Sequence, residues 1–85
     1  MNTILWQPKA LRQLRKIEVH AGKQIRMAVS TQLTDLATAK NVKALANHRY
    51  GYRLRVGNYR VLFDFDGVVR IVRIEEVRKR DEHTY

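Results

Sequence analysis

The stretch Tyr52-Arg53-Leu54-Arg55-Val56-Gly57-Asn58-Tyr59-Arg60-Val61-Leu62-Phe63-Asp64-Phe65-Asp66-Gly67 decides the fold. Residues 52–56 alternate apolar and basic, the period of a half-buried strand. Gly57-Asn58 and Asp66-Gly67 are both preferred two-residue hairpin turns, because they tolerate positive φ. Residues 59–65 lie between them, and residues 68–77 are rich in β-branched side chains. The expectation is a three-stranded antiparallel meander.

Counting outward from two-residue turns sets the register. Val56 faces Tyr59, Arg55 faces Arg60, Leu54 faces Val61 and Arg53 faces Leu62. Across the second turn Phe65 faces Val68, Leu62 faces Ile71, Val61 faces Val72 and Arg60 faces Arg73. Opposed residues share a face. One face then carries Tyr52, Leu54, Val56, Tyr59, Val61, Phe63, Phe65, Val68, Val72 and Ile74, the expected core. The other carries Arg53, Arg55, Arg60, Leu62, Asp64, Ile71, Arg73, Glu75 and Val77. Arg55, Arg60 and Arg73 fall in one cross-strand row. Like charges directly opposed cost roughly 0.2–1 kcal/mol per pair. The row reads as an anion site built from guanidinium forks, or as a solvated basic face relieved by Asp64, Glu75 or Glu76; the net charge favours the first. Arg70 sits awkwardly here, on the core face opposite Phe63. A bulge would shift the last strand and move Arg73, but leave the Arg55–Arg60 pair intact.

Upstream, Thr3–Trp6 is a short apolar run that reads as a strand, with Trp6 in the core. Pro8 suits the first turn of a helix, and Ala10, Leu11, Leu14 and Ile17 give that helix one apolar face. Gly22 marks a break. From Lys23, the positions Ile25, Ala28, Val29, Gln32, Leu33 and Leu36 form a second amphipathic helix ending near Thr38. Residues 41–47 read as a connector. The fold class is α+β, in the order β-α-α-β-β-β, with an antiparallel sheet and a helical hairpin on one face, all in one domain over residues 1–85.

The 85 residues carry 17 Lys+Arg against 8 Asp+Glu, a formal net charge of +9, and 45% are hydrophobic. That hydrophobic share supports a core and excludes a basic disordered tail; the length leaves no room for a separate cofactor lobe. The charge calls for a polyanionic partner. The absence of cysteine excludes a disulfide scaffold, thiol chemistry and Cys-type zinc sites, and fits a reducing cytoplasm. MNTILWQPK has neither a basic leader nor a long apolar run, so no signal peptide is expected. No run approaches ~20 apolar residues, so nothing is expected to span a membrane; the charge alone would suit nucleic acid, an acidic protein or an anionic membrane surface, and no membrane partner is expected. His20, His48 and His83 are not at ligand spacing, so no metal or other cofactor is expected. Asp66 reads as a turn residue, and no glycine opens a helix as a phosphate loop requires. The basic helix faces suit either a polyanionic surface or solvent.

Residues 78–85, Arg78-Lys79-Arg80-Asp81-Glu82-His83-Thr84-Tyr85, place two arginines, an imidazole and a phenol beside the basic face. Histidine serves acid/base chemistry near neutral pH, and tyrosine stacks on a base. The element order, the stretch YGYRLRVGNYRVLF (50–63) and the ending KRDEHTY (79–85) together resemble the RelE/ParE superfamily of bacterial toxins, on its RelE side. The resemblance implies a small basic endoribonuclease that cuts mRNA in the ribosomal A site and is held in check by a cognate acidic antitoxin. It implies catalytic roles for Arg53, Arg55, Arg60, Arg80, His83 and Tyr85. Arg73, from the cross-strand row, and Arg78 and Lys79, from the basic ending, are expected to bind RNA beside them. This sequence has arginine where the family's paired positions carry lysine. It also has no glutamate between Val19 and Ile74, where some relatives place a base. Three function classes follow: a ribosome-dependent ribonuclease, a ParE-like gyrase inhibitor, and a non-catalytic RNA-binding module.

Overall fold

The computed structural model describes residues 1–80. Its elements are β1 (Thr3–Trp6), α1 (Pro8–Arg15), α2 (Val19–Gln32), β2 (Val42–Ala44), β3 (Tyr52–Val56), β4 (Tyr59–Asp66) and β5 (Ile71–Lys79). The five strands form one sheet in the order β1-β5-β4-β3-β2. The α+β class and the meander are as expected. Two features differ. The segment expected as a connector contributes β2, which pairs with β3 through Val42↔Leu54, Lys43↔Arg53 and Ala44↔Tyr52. The sheet is mixed, because β1 runs parallel to β5. The helices return the chain to the far edge, and the meander then folds back strand by strand until β5 lies beside β1.

Pro8 stands in the first turn of α1, where its missing N–H costs nothing. Ala10 and Leu14 are buried, while Leu11 lies at the exposed rim. The break between helices falls at residues 16–18, not at Gly22. The Glu18 carboxylate accepts from the backbone N–H groups of His20 and Ala21 at 2.8 and 3.0 Å. It thereby caps α2, and these two bonds lower its pKa. Gly22 stays inside α2, buried against α1, where a Cβ would lie 3.8 Å from the Leu14 carbonyl. Helix α2 stops at Gln32, short of Thr38. There the Gln32 and Asp35 side chains accept from the Lys40 and Ala37 N–H groups, offering the backbone an alternative to the helix.

The first hairpin has the register expected, from Val56↔Tyr59 through Arg55↔Arg60 to Arg53↔Leu62. Gly57 takes φ +55°, a conformation that favours glycine. The second hairpin does not. Its loop spans residues 67–70, with Asp66 paired to Ile71, Phe65 to Val72, Asp64 to Arg73 and Phe63 to Ile74. Asp66 Oδ1 accepts from the Val68 and Val69 N–H groups, and Arg70 turns the chain at φ +56°. Val68 is therefore 93% exposed at the tip rather than in the core, and Arg70 leaves the sheet.

A bulge follows. Beyond it Leu62 pairs with Glu76, Val61 with Val77, Arg60 with Arg78 and Tyr59 with Lys79. Arg73 thus faces Asp64, and the expected Arg60–Arg73 pairing is replaced by Arg60–Arg78. Val77, expected on the open face, is buried in the core with Ile74. Glu75 and Glu76 lie between these two core residues and share the opposite face. The Gln13 side chain accepts from Val77 N–H at 2.7 Å, satisfying β5 past the end of β1. Leu14, Ile25, Val29 and Leu33 from the helical side pack on Leu54, Val61, Phe63, Val72, Ile74 and Val77. This leaves the other face of the sheet open.

Candidate active site

Pairing across the sheet places two rows on the open face. One runs Lys43, Arg53, Leu62, Glu76; the next runs Arg55, Arg60, Arg78. The expected row of Arg55, Arg60 and Arg73 is not formed; a row of three arginines exists with Arg78 in place of Arg73. The backbone N–H of Arg80 donates to the Asn58 carbonyl, which ties the end of β5 to the Gly57 turn. Lys43, Leu45, Arg53, Arg55, Tyr59, Arg60 and Arg80 line one cavity of about 320 Å³. Leu45, Arg53 and Arg60 also border a second, of about 290 Å³, with His48, Leu62, Arg78 and Lys79. A larger depression of about 520 Å³ lies among Asn2, Asp35, Phe65 and Arg70; with one arginine beside an aspartate, it lacks the convergent charge of the smaller pair.

Arg60 is the centre of the cluster. Burial lowers its pKa, and the charges of Arg80, Arg53 and Arg55 lower it further. All of these act against its cationic form, and an anion among them would reverse the last three. Such donors suit a phosphate, bound through paired charge-assisted hydrogen bonds.

One carboxylate anchors the cationic face. Glu76 is 2% exposed. Its Oε1 lies 3.1 Å from Arg78 Nε and its Oε2 3.4 Å from Nη2, while Lys9 of α1 approaches Oε1 at 3.4 Å. Burial works to raise its pKa. Hydrogen bonds from Tyr50 and Arg78, with the charge of Arg78 and a bond from Lys9, prevail and hold it at about 2. Burial raises the Tyr50 phenol, and its bond to Glu76 raises it further. Arg78 is thus held rather than splayed.

The far end of the face is balanced differently. Asp64 Oδ1 accepts from Gly51 N–H at 2.7 Å. Glu75 lies 4.0 Å from Arg73; burial raises its pKa, then the charge and hydrogen bond of Asp64, against the lowering effect of Arg73 and Arg49. Arg73 lines neither cavity of the arginine cluster.

Arg53, Arg55, Arg60 and Arg80 are brought together as the sequence suggested, and Arg78 and Lys79 border them. His83 and Tyr85 lie outside the described residues. Sequence reasoning missed Lys43, because β2 was not legible as a strand. It also missed His48 and Tyr50, which precede the strand; Glu76 was one of three carboxylates considered as relief for the basic face, and the bulge is what sets it beside Arg78. Among the described residues no group of three or more His, Asp or Glu could hold a metal ion.

The family model for the ParE toxin of type II toxin-antitoxin systems (parDE) matches residues 4–82. The chain belongs to the RelE/ParE superfamily of toxins. Solved structures of the superfamily share its fold. A RelBE toxin-antitoxin complex from Mycobacterium tuberculosis aligns with a TM-score of 0.74 at 21% identity, covering 93% of this chain and 98% of that one. A RelE–RelB complex from Pyrococcus horikoshii gives 0.79 at 14%, covering 95% and 97%. The isolated E. coli RelE toxin gives 0.78 at 16%, covering 99% and 89%. No match is found among curated proteins. Among the described residues of this toxin, no helix is long and apolar enough to cross a membrane.

Proposed function

We propose that this toxin is an endoribonuclease that cuts mRNA in the ribosomal A site, in the cytoplasm, and is neutralised by a cognate acidic antitoxin. One observation carries the reading: Arg53, Arg55, Arg60 and Arg80 converge on one open cavity, where the charges of Arg53, Arg55 and Arg80 act against the cationic form of Arg60. A surface that only bound solvent would splay these charges apart. The 2′-hydroxyl of RNA attacks the adjacent phosphorus. The O2′–P bond forms, the P–O5′ bond breaks, the 2′ proton departs and O5′ takes one up, leaving a 2′,3′-cyclic phosphate. Arg53, Arg55 and Arg60 stabilise the charge that builds on the phosphorane. Arg80 holds a phosphate oxygen or the leaving oxygen, and Arg78, Lys79 and Arg73 bind flanking RNA. By the family resemblance, His83 exchanges a proton and Tyr85 orients a base. The ribosome positions the RNA, because an open sheet face offers little shape to hold it.

The ParE description of the matching family model favours a second reading, inhibition of DNA gyrase by protein contact. Primer extension on a translated mRNA, run beside a gyrase supercoiling assay, separates the two. Discrete cuts that Arg60→Ala abolishes support the ribonuclease. Intact mRNA with inhibited supercoiling supports the second reading.

A further inference from the structure

The two cavities at the arginine cluster differ in chemistry. The first, with Lys43, Arg55 and Arg80, is walled mainly by cations. The second shares Leu45, Arg53 and Arg60 with it and adds the buried Leu62 and the His48 ring, beside Arg78 and Lys79. Leu62 is one of the few apolar residues buried on the open face. A phosphate gains nothing from leucine, whereas a flat heterocycle attached to one does.

The state of His48 is also set. Its Nδ1 lies 3.1 Å from the backbone nitrogen of Tyr50. A backbone N–H can only donate, so Nδ1 accepts and the ring carries its proton at Nε2. Held this way, the ring presents an Nε2 donor and an aromatic face.

We propose that the second cavity receives one nucleobase of single-stranded RNA, and that His48 selects it, stacking on the base and donating Nε2–H to an acceptor on its edge. Arg53 and Arg60, shared by both cavities, then grip the phosphate joining this nucleotide to the one in the first cavity. This rests on the ribonuclease reading and makes His48 a specificity residue rather than an acid or base.

The test uses short 2′-O-methyl RNA, which cannot be cleaved by the proposed route, with binding read by fluorescence anisotropy. An abasic nucleotide is moved along the oligonucleotide. At one position it should weaken binding to the toxin by on the order of 10-fold, as expected for loss of one stacked base. His48→Ala should bind the full oligonucleotide as weakly as the toxin binds that abasic one, and lose no more when the base is removed. His48→Gln, which keeps a donor without the ring, should restore part of the preference among bases at that position. If each abasic substitution costs His48→Ala as much as it costs the unmodified toxin, His48 does not select the base and the inference is wrong. If the unmodified toxin binds the intact oligonucleotide no better than any abasic one, the inference is wrong, while the ribonuclease reading stands or falls separately by primer extension on translated mRNA.

Discussion

Replacing Glu76 by glutamine should cost the protein much of its margin of stability near neutral pH. The carboxyl is held at about 2 in the folded chain, against an ordinary value of 4.5. That gap of roughly 2.5 pH units, at about 1.4 kcal/mol each, is worth about 3 kcal/mol. Arg78 and Lys9 are half exposed, so solvent screens part of this, and about 2 kcal/mol is the working expectation. Because the folded pKa is depressed, the contribution is full above the unfolded value. It fades as pH falls from about 4.5 through about 2. Urea unfolding followed by circular dichroism at a series of pH values reads the difference directly. Glu76→Gln should be about 2 kcal/mol less stable at pH 7, and the two proteins should converge near pH 2. Equal stabilities at pH 7, or a gap that persists unchanged in acid, would refute the idea that a charged Glu76 anchors the arginine row.

Arg60→Ala should fold normally and match or slightly exceed the parent in stability, since it relieves repulsion with Arg55 and Arg78, roughly 0.2–1 kcal/mol per pair; cleavage should fall by ~10²-fold or more, measured by primer extension. Gly22→Ala should stabilise by about 0.5–1 kcal/mol, because a Cβ there meets only ordinary contacts in a helix interior; thermal melting should rise by roughly 2–8 °C. Association with the acidic antitoxin expected for this toxin should slow steeply as salt is raised, in stopped-flow measurements. A rate indifferent to salt would place the inhibitor on an apolar surface instead.

The part of the site built on the first hairpin was legible because Gly57-Asn58 makes a two-residue turn and residues 52–56 alternate cleanly. Arg53, Arg55 and Arg60 followed by counting. The second hairpin was not legible in the same way. Asp66-Gly67 has the composition of a two-residue turn, but the Asp66 carboxylate caps two backbone N–H groups further on and lengthens the loop to four residues. Each residue of slip moves every later partner, which is how Arg73 came to stand where Arg78 belongs. One sign was present in the chain. Ile74 and Val77 are separated by two glutamates, and that spacing of three cannot put both apolar residues on one face of a regular strand. The bulge resolves it, and in doing so buries Glu76 beside Arg78. Strand β2 left no such sign, because a three-residue edge strand carries too little pattern.

RNA cleavage by the 2′-hydroxyl at the arginine cluster is tested on ribosomes programmed with an mRNA carrying either a ribose or a 2′-deoxyribose at the cut nucleotide, with analysis of the products. The ribose message should be cut to a fragment ending in a 2′,3′-cyclic phosphate, and the deoxy message should stay intact. Cleavage of both messages at equal rates would contradict the account.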